Sequence, residues 1–254
     1  MGHSRQWKAA RSTGPDPARL VLLAPVLLAL ALIFIGRVGD AAQAAKPSFD
    51  CARAKSVAEK MICADPGLAA VDAAIAANYA AALKRLDAPA RKALAQDQQG
   101  FVSYRNRIAG VDQGVPKDKQ NFPIDEFMRD RAAFLATIEK PEAGFLGSWK
   151  NVQGVVTIKS ASSGKLEIEA DTANPSTGGS ECNVGGVVKT RQDLELVDTD
   201  SDDKPTGFVY RLHRLGDALE AEESGQAKGD QTGPASCGAN GHVSGVFFLS
   251  RSKS

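Results

Sequence analysis

Four cysteines, an S-x-x-K tetrad, an aspartate-rich loop and the two histidines beyond the N-terminal segment, of three in all, are the groups in this 254-residue chain that could do chemistry. Cys51 and Cys63 have eleven residues between them and no histidine in that interval. A redox pair prefers C-x-x-C, and a zinc site wants two to four residues between cysteines with further Cys or His nearby. Neither spacing is met, so the pair reads as a structural bridge. Ser162-Ser163-Gly164-Lys165 matches the nucleophile tetrad of penicillin-binding enzymes, but the S-D-N and K-T-G partners of that tetrad are absent. Here it reads as a hairpin turn. Asp198, Asp200 and Asp202 have the spacing of a calcium loop, yet the glycine and glutamate positions hold Asp203 and Val209, which predicts a solvated hairpin loop. His213 and His242 are far apart and suggest no triad or metal set. The expectation is a protein without enzymatic activity, cofactor or metal.

Whether thiols pair depends on the compartment. Arg5, Lys8, Arg11 and Arg19 precede the apolar run LVLLAPVLLALALIFI, Leu20 to Ile35, and Ala42-Gln43-Ala44 supplies a small-x-small site. These are the three parts of a secretory signal, with cleavage expected after Ala44 or Ala45. The alternative is an uncleaved anchor, although the run is shorter than the roughly 20 residues that span a bilayer. Either way the remainder is exported, and the expected location is periplasmic or secreted. In an oxidising compartment an even cysteine count fits two disulfides. Of the three possible pairings, the separations favour Cys51–Cys63 and Cys182–Cys237, each within one compositional block.

Residues 46–143 carry 15 basic and 13 acidic side chains, a net charge of +2, whereas residues 144–254 carry 11 and 15, a net charge of −4. Neither half has the strong basic excess of a nucleic-acid binder. The shift in composition divides the chain into residues 1–45 as signal peptide, 46–141 as a helical domain and 144–254 as a β-rich domain.

The elements that must position these groups follow from periodicity. Ser56 and Glu59 form a capping box, and Asp65-Pro66 is an N-cap followed by proline at the first helical position. Leu68, Val71, Ile75, Tyr79, Leu83 and Leu86 then recur at helical steps. A further helix starts at Asp87-Ala88-Pro89 and carries Leu94, Phe101 and Ile108. The last spans Pro123 to Glu139, with Ile124, Phe127, Met128, Leu135 and Ile138 facing inward. Asp72 stands beside the apolar stripe, where an unpaired carboxylate would be costly, so an arginine such as Arg105 is its expected partner.

The stretch FDCARAKSVAEKMICADPGLAAVDAAIAANYAAAL resembles the N-terminal domain family of the lysozyme inhibitor LprI. The matching residues are Phe49, Asp50, Cys51, Ser56, Glu59, Ile62, Cys63, Asp65, Pro66, Leu68, Asp72 and Tyr79, and Val71 replaces a leucine. Family members often add an aromatic residue followed by Arg, which Phe101 and Arg105 match. They also often add a second cysteine pair, for which this chain has no cysteine between Cys63 and Cys182. The resemblance covers about residues 48–140. It implies a protein-binding module and, beyond that, inhibition of a lysozyme-type muramidase or binding of another envelope protein. Tyr104 and Phe122 are the candidate binding aromatics.

From Gly144 the period changes to two. Strands are expected near 147–152, 154–160, 165–172, 185–190, 192–198, 207–215, 218–224 and 242–250, with Cys182 and Cys237 in glycine-rich loops. Eight short antiparallel strands suggest a barrel or sandwich. Gly147-Ser148-Trp149 with Arg251 on the last strand is similar to the lipocalin pattern, in which a late arginine covers the tryptophan of strand one. The expected fold class is α+β: a disulfide-tied helical bundle followed by an antiparallel β-barrel or sandwich. The expected function is that of an exported bacterial envelope binding module. The alternative is an envelope small-ligand-binding or structural protein without inhibitory activity.

Overall fold

A short 3-10 turn, Cys51–Arg53, leads into α1 (Val57–Ala64), α2 (Pro66–Arg85), α3 (Ala88–Asp112) and α4 (Ile124–Thr137) in the computed structural model. It describes residues 46–116, 120, 123–226 and 233–251. Residues 1–45, the expected signal segment, and Phe122 lie outside the described residues. Each of the first three helices is started by a side chain that satisfies amide groups the helix itself cannot. Ser56 and Glu59 close their capping box at α1, Asp65 accepts from Gly67 and Leu68 at α2, and Asp87 accepts from Ala90 at α3. Cys51–Cys63 fastens the opening turn to the end of α1.

The second half is one eight-stranded antiparallel sheet: β1 (Gly147–Lys150), β2 (Gly154–Ser160), β3 (Lys165–Thr172), β4 (Cys182–Lys189), β5 (Leu194–Thr199), β6 (Pro205–Leu215), β7 (Ala218–Gly225) and β8 (Gly245–Leu249). Its order is β4-β3-β2-β1-β8-β7-β6-β5. The sheet curls into a nearly closed barrel whose seam lies between β4 and β5. No ladder joins those two strands; Leu196 of β5 lies over Gly186 of β4 so closely that a Cβ there would stand 2.5 Å from its Cδ1. Cys182 opens β4, opposite Thr172, rather than sitting in a loop, because the β3 ladder extends to the disulfide that joins it to Cys237.

Two strands show where the helices pack. Successive side chains of a strand point to opposite faces, yet Phe247 and Phe248 of β8 are both fully buried, as are Ala218 and Leu219 of β7. Their register pairs Ala218 with Phe248 and Leu219 with Phe247. Leu219 and Phe247 fill the barrel beside Trp149 and Tyr210. Ala218 and Phe248 join the helical core of Ile62, Leu94, Phe101, Met128 and Leu135. The helical core thus continues onto the outer wall of the barrel.

The arginine over Trp149 is Arg214 of β6, 5.0 Å from the ring centroid. This corrects the lipocalin-like expectation: Arg251 instead pairs with Glu139, two residues past the end of α4. Arg214 also donates to the carbonyls of Glu142, Gly144, Gly216 and Ala218, which ties the link between the halves to the barrel end. The indole Nε1 donates to Phe145 O at 2.7 Å.

Candidate functional site

A cleft of about 730 Å³ opens where α4, the β1–β2 turn, the loop at 173–178 and the end of β8 meet. Arg131 lies at its base. It falls on the inward stripe of α4 between Met128 and Leu135, and only 3% of it is exposed. An unpaired cation there would be costly, and several groups answer it. Asp97 of α3 accepts at 2.5 Å and Gln98 at 3.0 and 2.7 Å, while the guanidinium carbon stands 5.3 Å from the Phe101 ring and 5.2 Å from the Phe134 ring. The other oxygen of Asp97 accepts the amide of Val152 at 2.9 Å. One carboxylate therefore joins α3, α4 and the β1–β2 turn. Phe127 stacks on Phe101 at 5.1 Å, and Asp130, Lys150 and Arg251 line the outer walls.

Asn151 shapes the turn, its Oδ1 accepting from the amides of Gln153 and Gly154. Tyr104 borders the cleft without lining it. It is partly buried, its hydroxyl accepts from Gln153 Nε2 at 3.5 Å, and Arg107 lies over its ring at 5.7 Å. Asp97, Arg131 and Val152 had no place among the candidate residues read from sequence. The signal for Arg131 was there: it stands seven residues after Ile124 and four before Leu135, a stripe position that apolar residues usually fill.

Asp72 and Arg105 meet inside the bundle at 3.6 Å, and Asp72 also holds the amide and hydroxyl of Ser48 at 2.7 and 2.6 Å. Burial pushes the Arg105 guanidinium below its ordinary value, against the pull of Asp72 and Glu59. Its Nε is buried without a partner among the described residues. The pair anchors the N-terminal strap to α2 and α3.

The other sequence candidates scatter. Ser162 opens a single exposed 3-10 turn, Ser162–Gly164, between β2 and β3, with no α-helix behind it to present it as a nucleophile. His213 pairs with Glu220 at 3.1 Å, and His242 is exposed at the end of β3, where its carbonyl accepts from Thr172 Oγ1 at 2.8 Å. Among the described residues, no three of His, Cys, Asp and Glu converge as a metal set. The aspartate loop divides its labour. Asp200 accepts from the amides of Asp202 and Lys204 and caps the turn. Asp198 points inward, accepting from Thr206 Oγ1 at 2.5 Å, Ala235 N at 2.9 Å, Ser236 N at 3.3 Å and the Ser236 hydroxyl. Beside it, burial and the Asp198 charge push the Tyr210 hydroxyl well above its usual range. Burial also raises Glu223, whose Oε2 has no partner among the described residues. This cluster fixes the loop that carries Cys237.

Residues 51–143 match the family described as lysozyme inhibitor LprI. The helical half is similar to that family over this segment. Its match begins at the first cysteine of the Cys51–Cys63 bridge and ends in the link clamped by Arg214. The matched segment supplies one wall of the cleft, through α4, and the barrel supplies the other. No curated protein and no solved structure matched the chain.

Proposed function

We propose that this protein is an exported binding protein of the lysozyme-inhibitor kind, acting in the periplasm or outside the cell on a lysozyme-type muramidase. The observation that carries this reading is the match of residues 51–143 to the LprI family, a family of inhibitors rather than catalysts. An inhibitor needs a surface held in one shape. The Cys51–Cys63 bridge, the Asp97–Arg131 pair and the core shared by Phe248 and the helices supply that stiffness here. Rigid partners lose less conformational entropy on association. The acidic barrel half would favour encounter with a cationic enzyme, an effect that salt screens.

The test is a muramidase clearing a cell-wall suspension, titrated with residues 46–254 carrying both disulfides. A stoichiometric, saturable loss of rate supports the reading, with association slowed by added salt. Absence of binding to any lysozyme at micromolar concentration refutes it.

A further inference from the structure

We propose that the cleft between α4 and the β1–β2 turn binds a small amphiphile, with an apolar body on Phe127, Phe134 and Val152 and an anionic head at Lys150 and Arg251. This goes beyond the inhibitor reading and does not depend on it.

Size and place come first. A volume of about 730 Å³ falls within the roughly 300–1,000 Å³ typical of small-molecule sites, which favour the junctions between structural units. Phe127, Phe134 and Val152 pack against the helical core on one side and are only partly buried. Each therefore keeps apolar surface that a guest can cover, and burial is worth roughly 25 cal/mol per Å². The cleft cannot simply collapse on itself, because Asp97 holds α3, α4 and the turn at fixed separation.

Charge then selects the head group. The charge of Arg131 is answered by Asp97, so the base of the cleft is effectively neutral. Lys150 is exposed and has no ion pair among the described residues. Arg251 is paired with Glu139 at the rim, but its side chain is 78% exposed and can turn to a guest. The lining carboxylate is Asp130, and Glu139 engages Nε and Nη2 of Arg251, so the pull on an anionic head comes from Lys150 and from the Arg251 Nη1 that Glu139 leaves free. A carboxylate or phosphate head is therefore favoured over an ammonium head of the same chain length.

The experiment is calorimetric titration of residues 46–254 with dodecanoate, dodecyl phosphate and dodecyltrimethylammonium, each below its micelle concentration. Saturable one-to-one binding of the anionic chains, and much weaker binding of the ammonium, is expected. Preference between dodecanoate and dodecyl phosphate separates a fatty-acid guest from a phospholipid-like one. Ala133 is exposed on the α4 wall, so Ala133→Trp should fill the cleft and abolish binding without unfolding the protein. Lys150→Glu should weaken the anions by about tenfold, since it turns attraction into repulsion at an exposed site. Equal binding of both charges, no saturable binding, or anion affinity unmoved by both variants overturns the proposal. None of these outcomes bears on muramidase inhibition, which is read in the separate assay.

Discussion

Asp87 and Asp217 accept each other's backbone amides. The Asp87 amide donates to Asp217 Oδ2 at 2.8 Å, and the Asp217 amide donates to Asp87 Oδ2 at 3.1 Å. One residue is the N-cap of α3 and the other lies in the β6–β7 turn, 130 positions away. Two carboxylates so close repel, and both interact electrostatically with Arg214. This reciprocal bond fixes where the barrel meets the start of the longest helix.

Removing Asp87 should therefore be felt in both halves. Asp87→Ala takes away an N-cap, a loss of about 1 kcal/mol. It also strands the Asp217 amide, for roughly 1–3 kcal/mol more. Gly216, at φ +60°, packs so tightly that a Cβ would stand 2.0 Å from Asp87 Oδ2, so Gly216→Ala should destabilise as well. Urea unfolding measures both. A variant within a few tenths of a kcal/mol of the parent would contradict the assignment.

Arg131→Met tests the base of the cleft. The side chain is replaced at similar volume, but Asp97 is left nearly buried without its cation. Breaking a buried pair in this way costs about 3–5 kcal/mol. The Asp97→Asn, Arg131→Met double variant should recover part of that loss. Thermal unfolding of the four proteins gives the coupling.

The Cys51–Cys63 bridge closes a short loop, with a sequence separation of 12. Replacing both cysteines with serine is expected to lower stability by about 3 kcal/mol, mainly by freeing the unfolded chain. Calorimetry with and without reductant checks it, since the reductant-dependent shift should shrink in the variant.

Glu223 makes a pH prediction. Burial raises its folded pKa above the ordinary 4.5, assisted by the nearby Asp198 charge and opposed by the Val243 amide and His242. A raised pKa means that the folded state holds the proton more tightly. Its stabilising contribution is complete below about pH 4.5 and is lost as pH rises through the folded value. Glu223→Gln should therefore raise the melting temperature at pH 7 and leave it nearly unchanged at pH 4. Other carboxylates move the absolute curve, so the difference between parent and variant is the quantity to compare.

Residues 46–141 alone should form helices, because their caps and one disulfide lie within that segment. They should nevertheless be less stable than in the whole chain, since Ala218 and Phe248 complete their core. Circular dichroism with urea titration of the fragment and of residues 46–254 decides the point. Equal midpoints would show that the shared core contributes nothing.

Some of these features were written locally in the sequence. The caps at Ser56, Asp65 and Asp87 bond to amides within three residues, so residue type and spacing suffice to place them. Strand alternation in KLEIEA appears unchanged as the outward and inward faces of β3. Asp72 needed a cation, and Arg105, itself on an apolar stripe, was the candidate its chemistry selected. Only tertiary structure chose among residues equal in type. Arg214 rather than Arg251 covers Trp149, because ring closure through β8 and β7 determines which strand end reaches the indole. Asp198 rather than Asp200 turns inward, because Thr206 and the loop at Ala235 and Ser236 come to meet it. The cleft was decided at the same level. Asp97, Arg131 and Val152 are far apart in the chain, and only the packing of the bundle on the barrel brings one carboxylate to both partners. Local hydrogen-bond rules have a range of a few residues; which distant side chains meet is decided by how the two cores pack.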